Sequence, residues 1–244
     1  RTFLYGVGIS YNNTQGVMKK SSRDVLNGNI RLSYRVKDLS FSNQTMIGKT
    51  KAVNNPVDFS SYSQMNPFYS KRTVDGEVPK YVYRERLAGA NNYNYIWNPL
   101  WDYQQKSTNE TDTWSITNNF QIEYRLLTYF RVRANLQYQM SKSESERFRS
   151  PNETFFAKTD ADKKGTYMKN STSNSSVTGR VNLTYGRSFG DHTLNGVVGM
   201  QFADKNQESY GFGAEGYTTD QFSSPNFSSS YATGKPSASD SKNR

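Results

Sequence analysis

Apolar and polar side chains alternate along several stretches of this chain. In the segment 113–126 the even-numbered positions carry mostly large apolar side chains, whereas the odd-numbered positions carry Ser, Thr, Asn, Gln, Glu and Arg. After a break at Leu127 and Thr128, the pattern resumes and continues to Met140. A period of two places successive side chains on opposite sides of a β-strand. Two strands joined by so few residues must pair antiparallel, because a parallel pair needs a long crossover.

The alternation predicts seven strands, at 2–11, 25–36, 39–49, 113–126, 129–140, 175–186 and 192–203. The connections alternate between short turns, at 37–38, 127–128 and 186–191, and long loops, at 12–24, 50–112, 141–174 and after 204. Short turns at one end and long loops at the other are typical of outer-membrane β-barrels. A tilted strand of about 9–11 residues is long enough to cross the hydrocarbon layer.

The predicted fold is therefore all-β. It is an antiparallel up-and-down transmembrane β-barrel segment, about seven strands of a larger barrel, with short periplasmic turns and long extracellular loops. We assign residues 1–204 to this partial barrel and residues 205–244, which end in a stretch rich in Ser and Asn, to a truncated extracellular loop. The alternative is a secreted or surface β-sandwich that binds glycans, which would hide its apolar stripe inside instead of exposing it.

Aromatic side chains occur beside every predicted short turn. They are Tyr34, Tyr124, Tyr129, Phe130, Tyr185 and Phe189. Outer-membrane barrels carry such aromatic girdles at the two membrane interfaces. The simpler explanation is that aromatic residues are common in any strand.

Composition narrows the class of protein. A hydrophobic share of 34% and a mean hydropathy of -0.88 argue against a transmembrane helix, and the absence of cysteine excludes disulfides and thiolate sites. The formal charge of +10 raises the question of nucleic-acid binding. No nucleic-acid-binding motif is present, and the arginines are spread over strands and turns, so no nucleic-acid partner is expected.

Three arginines on the predicted polar face lie close to one short turn: Arg125, Arg131 and Arg133. In a barrel they would point into the lumen, where we expect them to contact a plug. The alternative is that they solvate a pore or pair with Glu123.

No catalytic constellation is found. His192 is the only histidine, and no pair of carboxylates is placed for glycoside hydrolysis. The run from Gly211 to Gly216 matches a dinucleotide-binding fingerprint, but no helix is predicted after it. We therefore expect no enzymatic activity, no cofactor and no metal site.

Seven segments resemble barrel segments of SusC-like TonB-dependent transporters, in that family's order and at similar spacing. They are YNNTQGVMKKSSRDVLNGNIRLSY (11–34), MNPFYSKRTVDGE (65–77), NPLWD (98–102), SITNNFQIEY (115–124), FRSPNETFF (148–156), KKGTY (163–167) and YGRSFGDHTLNGVVGMQ (185–201). The resemblance covers nearly the whole chain and weakens after about Tyr210.

This resemblance implies a barrel of about twenty-two strands with a plugged lumen. It also implies import of oligosaccharides or peptides across the outer membrane of a Gram-negative bacterium, with a SusD-like lipoprotein as lid. Energy would come from the TonB complex, reached through an N-terminal region with a plug and a TonB box that we expect to be missing here. The outer-membrane lipid would surround the barrel. Substrate identity stays open between glycan and peptide.

The longest loop is rich in aromatic and amide side chains. Between positions 81 and 103 its aromatic residues are Tyr81, Tyr83, Tyr93, Tyr95, Trp97, Trp101 and Tyr103, interleaved with Asn91, Asn92, Asn94 and Asn98. Flat aromatic faces beside amides suit sugars and peptides alike. We predict that this group contacts the substrate or the lid; the alternative is that it forms the small core that a long loop needs.

Overall fold

One antiparallel sheet dominates the computed structural model, which describes residues 2–86 and 93–243. Two of the amides predicted for the long loop, Asn91 and Asn92, lie outside the described residues. The strands are β1 (Thr2–Gln15), β2 (Ser22–Val36), β3 (Leu39–Val53), β4 (Tyr81–Arg86), β5 (Tyr93–Trp97), β6 (Thr108–Leu126), β7 (Phe130–Arg149), β8 (Thr166–Phe189), β9 (His192–Tyr217), β10 (Ser228–Tyr231) and β11 (Ser237–Asn243).

Helical structure is confined to the connections. The α-helices are α1 (Phe59–Ser63) and α2 (Pro99–Gln104), and the 3₁₀ helices are Thr154–Phe156, Ala161–Lys163 and Pro225–Phe227. Across the two described ranges, every helix is too short or too polar to traverse a bilayer.

The main sheet follows chain order, β1-β2-β3-β6-β7-β8-β9, and each neighbouring pair is antiparallel. This confirms the predicted meander. The three short turns lie along one rim, since the Arg125 amide donates to the Asp38 carbonyl at 3.0 Å and the Gly186 amide donates to Tyr129 at 2.9 Å. Left-handed backbone at Lys37, Leu127 and Gly190 allows these tight reversals.

Register separates the sheet into an apolar and a polar face. On the apolar face, Val7 is opposite Ile30 and Val181 is opposite Met200. These side chains face outward without cover: Val7 is 70% exposed and Met200 79%. No second layer lies over this face in the described ranges, whose other sheet is only the β4-β5 hairpin. The architecture is therefore that of a barrel segment, as predicted, and it does not have the hidden stripe of a sandwich.

The strands extend well beyond their predicted ends at the long-loop side. β7 continues to Arg149, β8 begins at Thr166, and β9 continues to Tyr217. The prediction missed these extensions because they carry mainly Ser, Thr, Asn, Lys and Glu on both faces, and their few apolar residues, such as Phe148, Tyr167 and Phe212, do not continue the apolar stripe of the strands. The assignment of 205–244 to a loop was accordingly wrong for residues 205–217, and β10 and β11 pair with β9.

The buried residues lie where the sheet meets the long loops, instead of along the sheet. Phe148, Tyr167, Ala214 and Tyr217 form a cluster, in which the Phe148 and Tyr217 rings meet edge to face at 5.1 Å. Gly165 has φ +74 and lies against the Tyr217 side chain, where a Cβ would come within 2.8 Å. The long loops thus pack together at the ends of the strands, at the rim of the sheet opposite the short turns.

Candidate functional site

The β4-β5 hairpin presents a ladder of aromatic rings. Tyr93, Tyr95 and Trp97 alternate along β5 and therefore share one face. Ring centroids are 6.2 Å apart for Tyr93 and Tyr95, and 5.3 Å apart for Tyr95 and Trp97, whose rings are stacked. From β4, Tyr81 meets Tyr95 edge-on at 5.1 Å.

The ladder has inner and outer members. Tyr95 contacts three other rings, so its faces are largely used inside the hairpin. Tyr93 is 40% exposed and lies beneath the Arg84 guanidinium, while Tyr83, 44% exposed, stacks on Tyr69 at 5.3 Å. The outer rings, Tyr83 and Tyr93, are the exposed aromatic side chains that a ligand or partner can reach on this hairpin.

The other two predicted aromatics, Trp101 and Tyr103, lie on α2 in a different setting. The indole Nε1 of Trp101 donates to the Asn152 carbonyl at 3.0 Å. Lys20 places its ammonium 4.4 Å from the Tyr103 ring centroid and donates to the Tyr103 carbonyl at 2.9 Å. The seven aromatics are therefore split between an exposed hairpin and a contact between loops.

Asn98 is a structural residue that sequence reasoning counted among the ligand-facing amides. It is 1% exposed. Its amide donates to the carbonyls of Lys71 and Pro79 at 3.0 and 2.9 Å, and its oxygen caps α2 by accepting from the Leu100 amide. With its donors and acceptor used in the loop, Asn98 stabilises the base of the hairpin.

A hydrogen-bond network joins the long loop to the loop between β7 and β8. Asp102 accepts from the Thr154 amide at 2.7 Å and from its hydroxyl at 2.5 Å. Ser107 donates to Glu153 at 2.5 Å and accepts from the Ser150 amide at 2.9 Å. No sequence motif predicted these pairs, because the residues of each pair are far apart in the chain.

Glu153 is the most electrostatically unusual carboxyl of this network. Its residue is 5% exposed. Burial raises the pKa of Glu153, although the Ser107 hydrogen bond and the Arg149 guanidinium, 3.8 Å away, favour its charged form. Desolvation is the largest of these effects, and the negative charge of Asp102 acts in the same direction.

A cavity of about 340 Å³ opens between the β1-β2 loop, α1 and α2. Its wall is mainly apolar and includes Phe59, Tyr62, Val78 and Leu100. Sequence reasoning did not find this cavity, because its residues come from separate loops and share no periodic pattern.

The polar face of the sheet carries a larger cavity, of about 660 Å³, lined mainly by amide, hydroxyl and guanidinium groups. Among them, Arg180 donates twice to the Gln201 amide oxygen, at 3.1 and 2.7 Å. This face can therefore hold water or polar groups, as the sequence predicted from its Arg, Asn and Gln residues.

The three predicted lumenal arginines are brought together at the short-turn rim. Arg133 donates to Glu123 Oε2 at 3.0 and 2.7 Å, and Arg131 lies 3.6 Å from Oε1 of the same carboxylate. Arg125 is directly opposite Arg131 in the sheet. One carboxylate thus faces three guanidinium groups, which leaves a net positive patch.

Comparison with known proteins shows similarity in fold. No family model matches the sequence, and no curated protein does. The chain resembles part of a chain in a structure of the RagAB peptide transporter (TM-score 0.70, 12% identity, 99% of this chain and 27% of that chain). It also resembles the RagAB peptide importer in the open-open state (TM-score 0.73, 13% identity, 98% and 27%) and the closed-closed state (0.66, 13%, 99% and 27%). The chain spans about a quarter of the length of these chains, at identities that show a shared fold alone.

Proposed function

We propose that this chain is part of the barrel wall and extracellular loops of an outer-membrane TonB-dependent transporter of the SusC-like type. In this proposal the complete protein imports peptides or oligosaccharides together with a SusD-like lipoprotein, and the chain itself performs no catalysis and needs no cofactor.

The observation that carries the proposal is the pairing of an exposed apolar face with a polar, cavity-bearing face on one meander of long strands. Apolar surface of this extent is costly in water and favourable against lipid. The opposite face suits a water-filled or plugged lumen. The likeness in fold to the RagAB peptide transporter supports the same function.

Each part of the chain has a role in this proposal. The aromatic residues beside the short turns lie at the periplasmic membrane interface, and Arg187, near the rings of Tyr129 and Phe189 at 4.5 and 4.6 Å, anchors that edge. The arginine patch around Glu123 contacts the plug. The aromatic hairpin contacts substrate or lid.

The test uses the full-length protein in its native bacterium. Membrane fractionation should find it in the outer membrane, and a pull-down through a tag should recover a lipoprotein partner. Deleting the gene should abolish uptake of a labelled substrate, as should a protonophore that collapses the proton-motive force. A protein in the soluble fraction, or uptake indifferent to the protonophore, would contradict the proposal.

A further inference from the structure

The apolar cavity of the loop layer has the chemistry of a ligand pocket. Its volume of about 340 Å³ falls within the range of small-ligand sites. Two of its apolar residues are unusually exposed for their type: Val17 is 100% exposed and Phe59 63%. Apolar surface that lines a concavity and is left open to solvent marks a binding site more often than a scaffold.

The charged side chains in the lining of the cavity have one sign, although the Asp102 carboxylate lies behind the lining, near Tyr62. Lys19 and Arg72 belong to its lining, and no Asp or Glu is among the lining residues in the part of the chain that the structure describes. Arg72 uses one guanidinium nitrogen to donate to the Gly76 carbonyl at 2.7 Å, which holds the side chain in place and leaves further N–H groups for a ligand. The apolar wall of the pocket therefore suits an apolar group of a ligand, and its two cations suit a negative charge next to that group.

This combination discriminates between the substrate classes left open above. The rings of Phe59, Tyr62 and Tyr103 suit a sugar or an apolar side chain alike, so the rest of the lining decides between the two classes. An oligosaccharide offers hydroxyl groups, which the aliphatic wall at Val78 and Leu100 leaves without hydrogen-bond partners, and a neutral sugar carries no charge to meet Lys19 and Arg72. A peptide segment with a bulky apolar side chain beside an Asp, a Glu or a terminal carboxylate satisfies both halves of the pocket.

We infer that this pocket binds a bulky apolar side chain of an acidic peptide, with Lys19 and Arg72 meeting the adjacent carboxylate. The inference rests on the proposed transport function and names its substrate class. Phe59 and Tyr62 of α1 form one wall, and Leu100 of α2 belongs to the same lining. The contact between Lys20 and Tyr103 ties the β1-β2 loop to α2 at one side of the pocket.

The experiment measures affinity of the purified full-length transporter for synthetic peptides by titration calorimetry. One peptide carries Leu next to Glu; two others replace Leu by Ala or Glu by Gln, and a neutral glucose oligomer serves as the glycan probe. We expect the Leu-Glu peptide to bind at least about tenfold more tightly than either replacement, the usual scale for one apolar group in a pocket. Equal affinity for all three peptides, or preference for the glucose oligomer, would overturn the inference.

Matched variants locate the site. Phe59→Ala and Lys19→Gln should each weaken binding of the Leu-Glu peptide about tenfold. Phe68→Ala, at a ring that is 93% exposed on the same loop but outside the lining, and Lys106→Gln should leave it unchanged. Lys19→Gln is a surface change, so it tests the pocket even where Phe59→Ala disturbs α1. Peptide binding unaffected by both pocket variants refutes this pocket while leaving transport intact, whereas uptake indifferent to the proton-motive force refutes the transport function itself.

Discussion

The indole of Trp101 donates a 3.0 Å hydrogen bond to the backbone carbonyl of Asn152, across 51 residues of sequence. This bond joins the long loop to the loop between β7 and β8, next to the bonds from Thr154 to Asp102. A residue that stood out in the sequence as a ligand contact is therefore used between two loops.

The two faces of the sheet should respond differently to charge. Leu136 is 45% exposed on the apolar face, and Gln137 is its neighbour on the polar face. Leu136→Arg should destabilise the full-length protein in lipid by about 2–4 kcal/mol, the cost of a cation at mid-membrane depth. Gln137→Arg should cost much less. Urea unfolding in liposomes measures both, and an equal loss would contradict the assigned membrane face.

Asp102→Ala should release the loop between β7 and β8. It removes both acceptors of Thr154, and hydrogen bonds to charged groups contribute about 1.5–3 kcal/mol each. Hydrogen exchange of residues 150–165 should become faster, while the β7 strand below keeps its protection. Asp160→Ala, at an exposed carboxylate of the same loop, is the control and should leave exchange unchanged.

Stability of the same loop should depend on pH through Glu153. Its pKa is raised from 4.5 by burial, so the folded loop holds a proton over a pH range in which the unfolded loop has lost it. The stabilisation is complete below about pH 4.5, the unfolded value, and is lost as pH rises through the higher folded pKa. Hydrogen exchange of 150–165, corrected for intrinsic rates, should therefore accelerate over that interval. Glu153→Gln should flatten the profile; an unchanged profile would assign the pH dependence to another group.

The arginine patch should be needed to hold a plug. Reversing Arg125, Arg131 and Arg133 to Glu in the full-length protein places negative charge around Glu123 and removes the positive charge that would face the plug. Antibiotic sensitivity and leak conductance should rise. Arg31 and Arg180 line the cavity on the same face, farther from the short turns. Their reversal to Glu is the control for a general change of charge in the lumen. Unchanged permeability in the triple variant would reduce the patch to solvation of the pore.

The aromatic hairpin should divide into ligand-facing and structural rings. Tyr93→Ala and Tyr83→Ala remove outer rings and should weaken substrate or lid binding by about 1 kcal/mol or more. Trp101→Ala should mainly loosen the loop at Asn152. Substrate titration and partner pull-down, on variants with confirmed surface display, distinguish the two roles. If both Tyr variants bind normally, the hairpin is scaffold.

Strand order, pairing direction and face were predictable because alternation is a local property. A period of two assigns a face to each residue of 113–126 in β6 and 130–140 in β7, and the short break at Leu127 and Thr128 forces the two strands to be antiparallel neighbours. The same pattern placed Arg125, Arg131 and Arg133 on the polar face. In the structure Arg131 and Arg133 lie beside Glu123, the pairing given as the alternative to plug contact, and contact with a plug stays a prediction.

The parts of β8 and β9 nearest the long loops were not predictable from the alternation of apolar and polar residues. Their Ser, Thr, Asn and Lys residues have no preferred side in water, and only pairing with a neighbouring strand satisfies their backbone groups. Sequence alone therefore ended these strands where the apolar stripe ends.

By itself, the sequence determined an antiparallel sheet with one apolar and one polar face, because apolar and polar residues alternate within each strand. Only the tertiary structure decided which loop residues meet: Trp101 with Asn152, Asp102 with Thr154, and Phe59 with Leu100 around one cavity. Those contacts join segments that are far apart in sequence and that follow no common hydrophobic pattern. They form at the long-loop end of the strands, where the folded sheet brings the loops together. The physical reason is that the side of the sheet on which a residue lies depends on its place within its own strand, whereas the residues of a binding site come from separate segments that only the fold brings together.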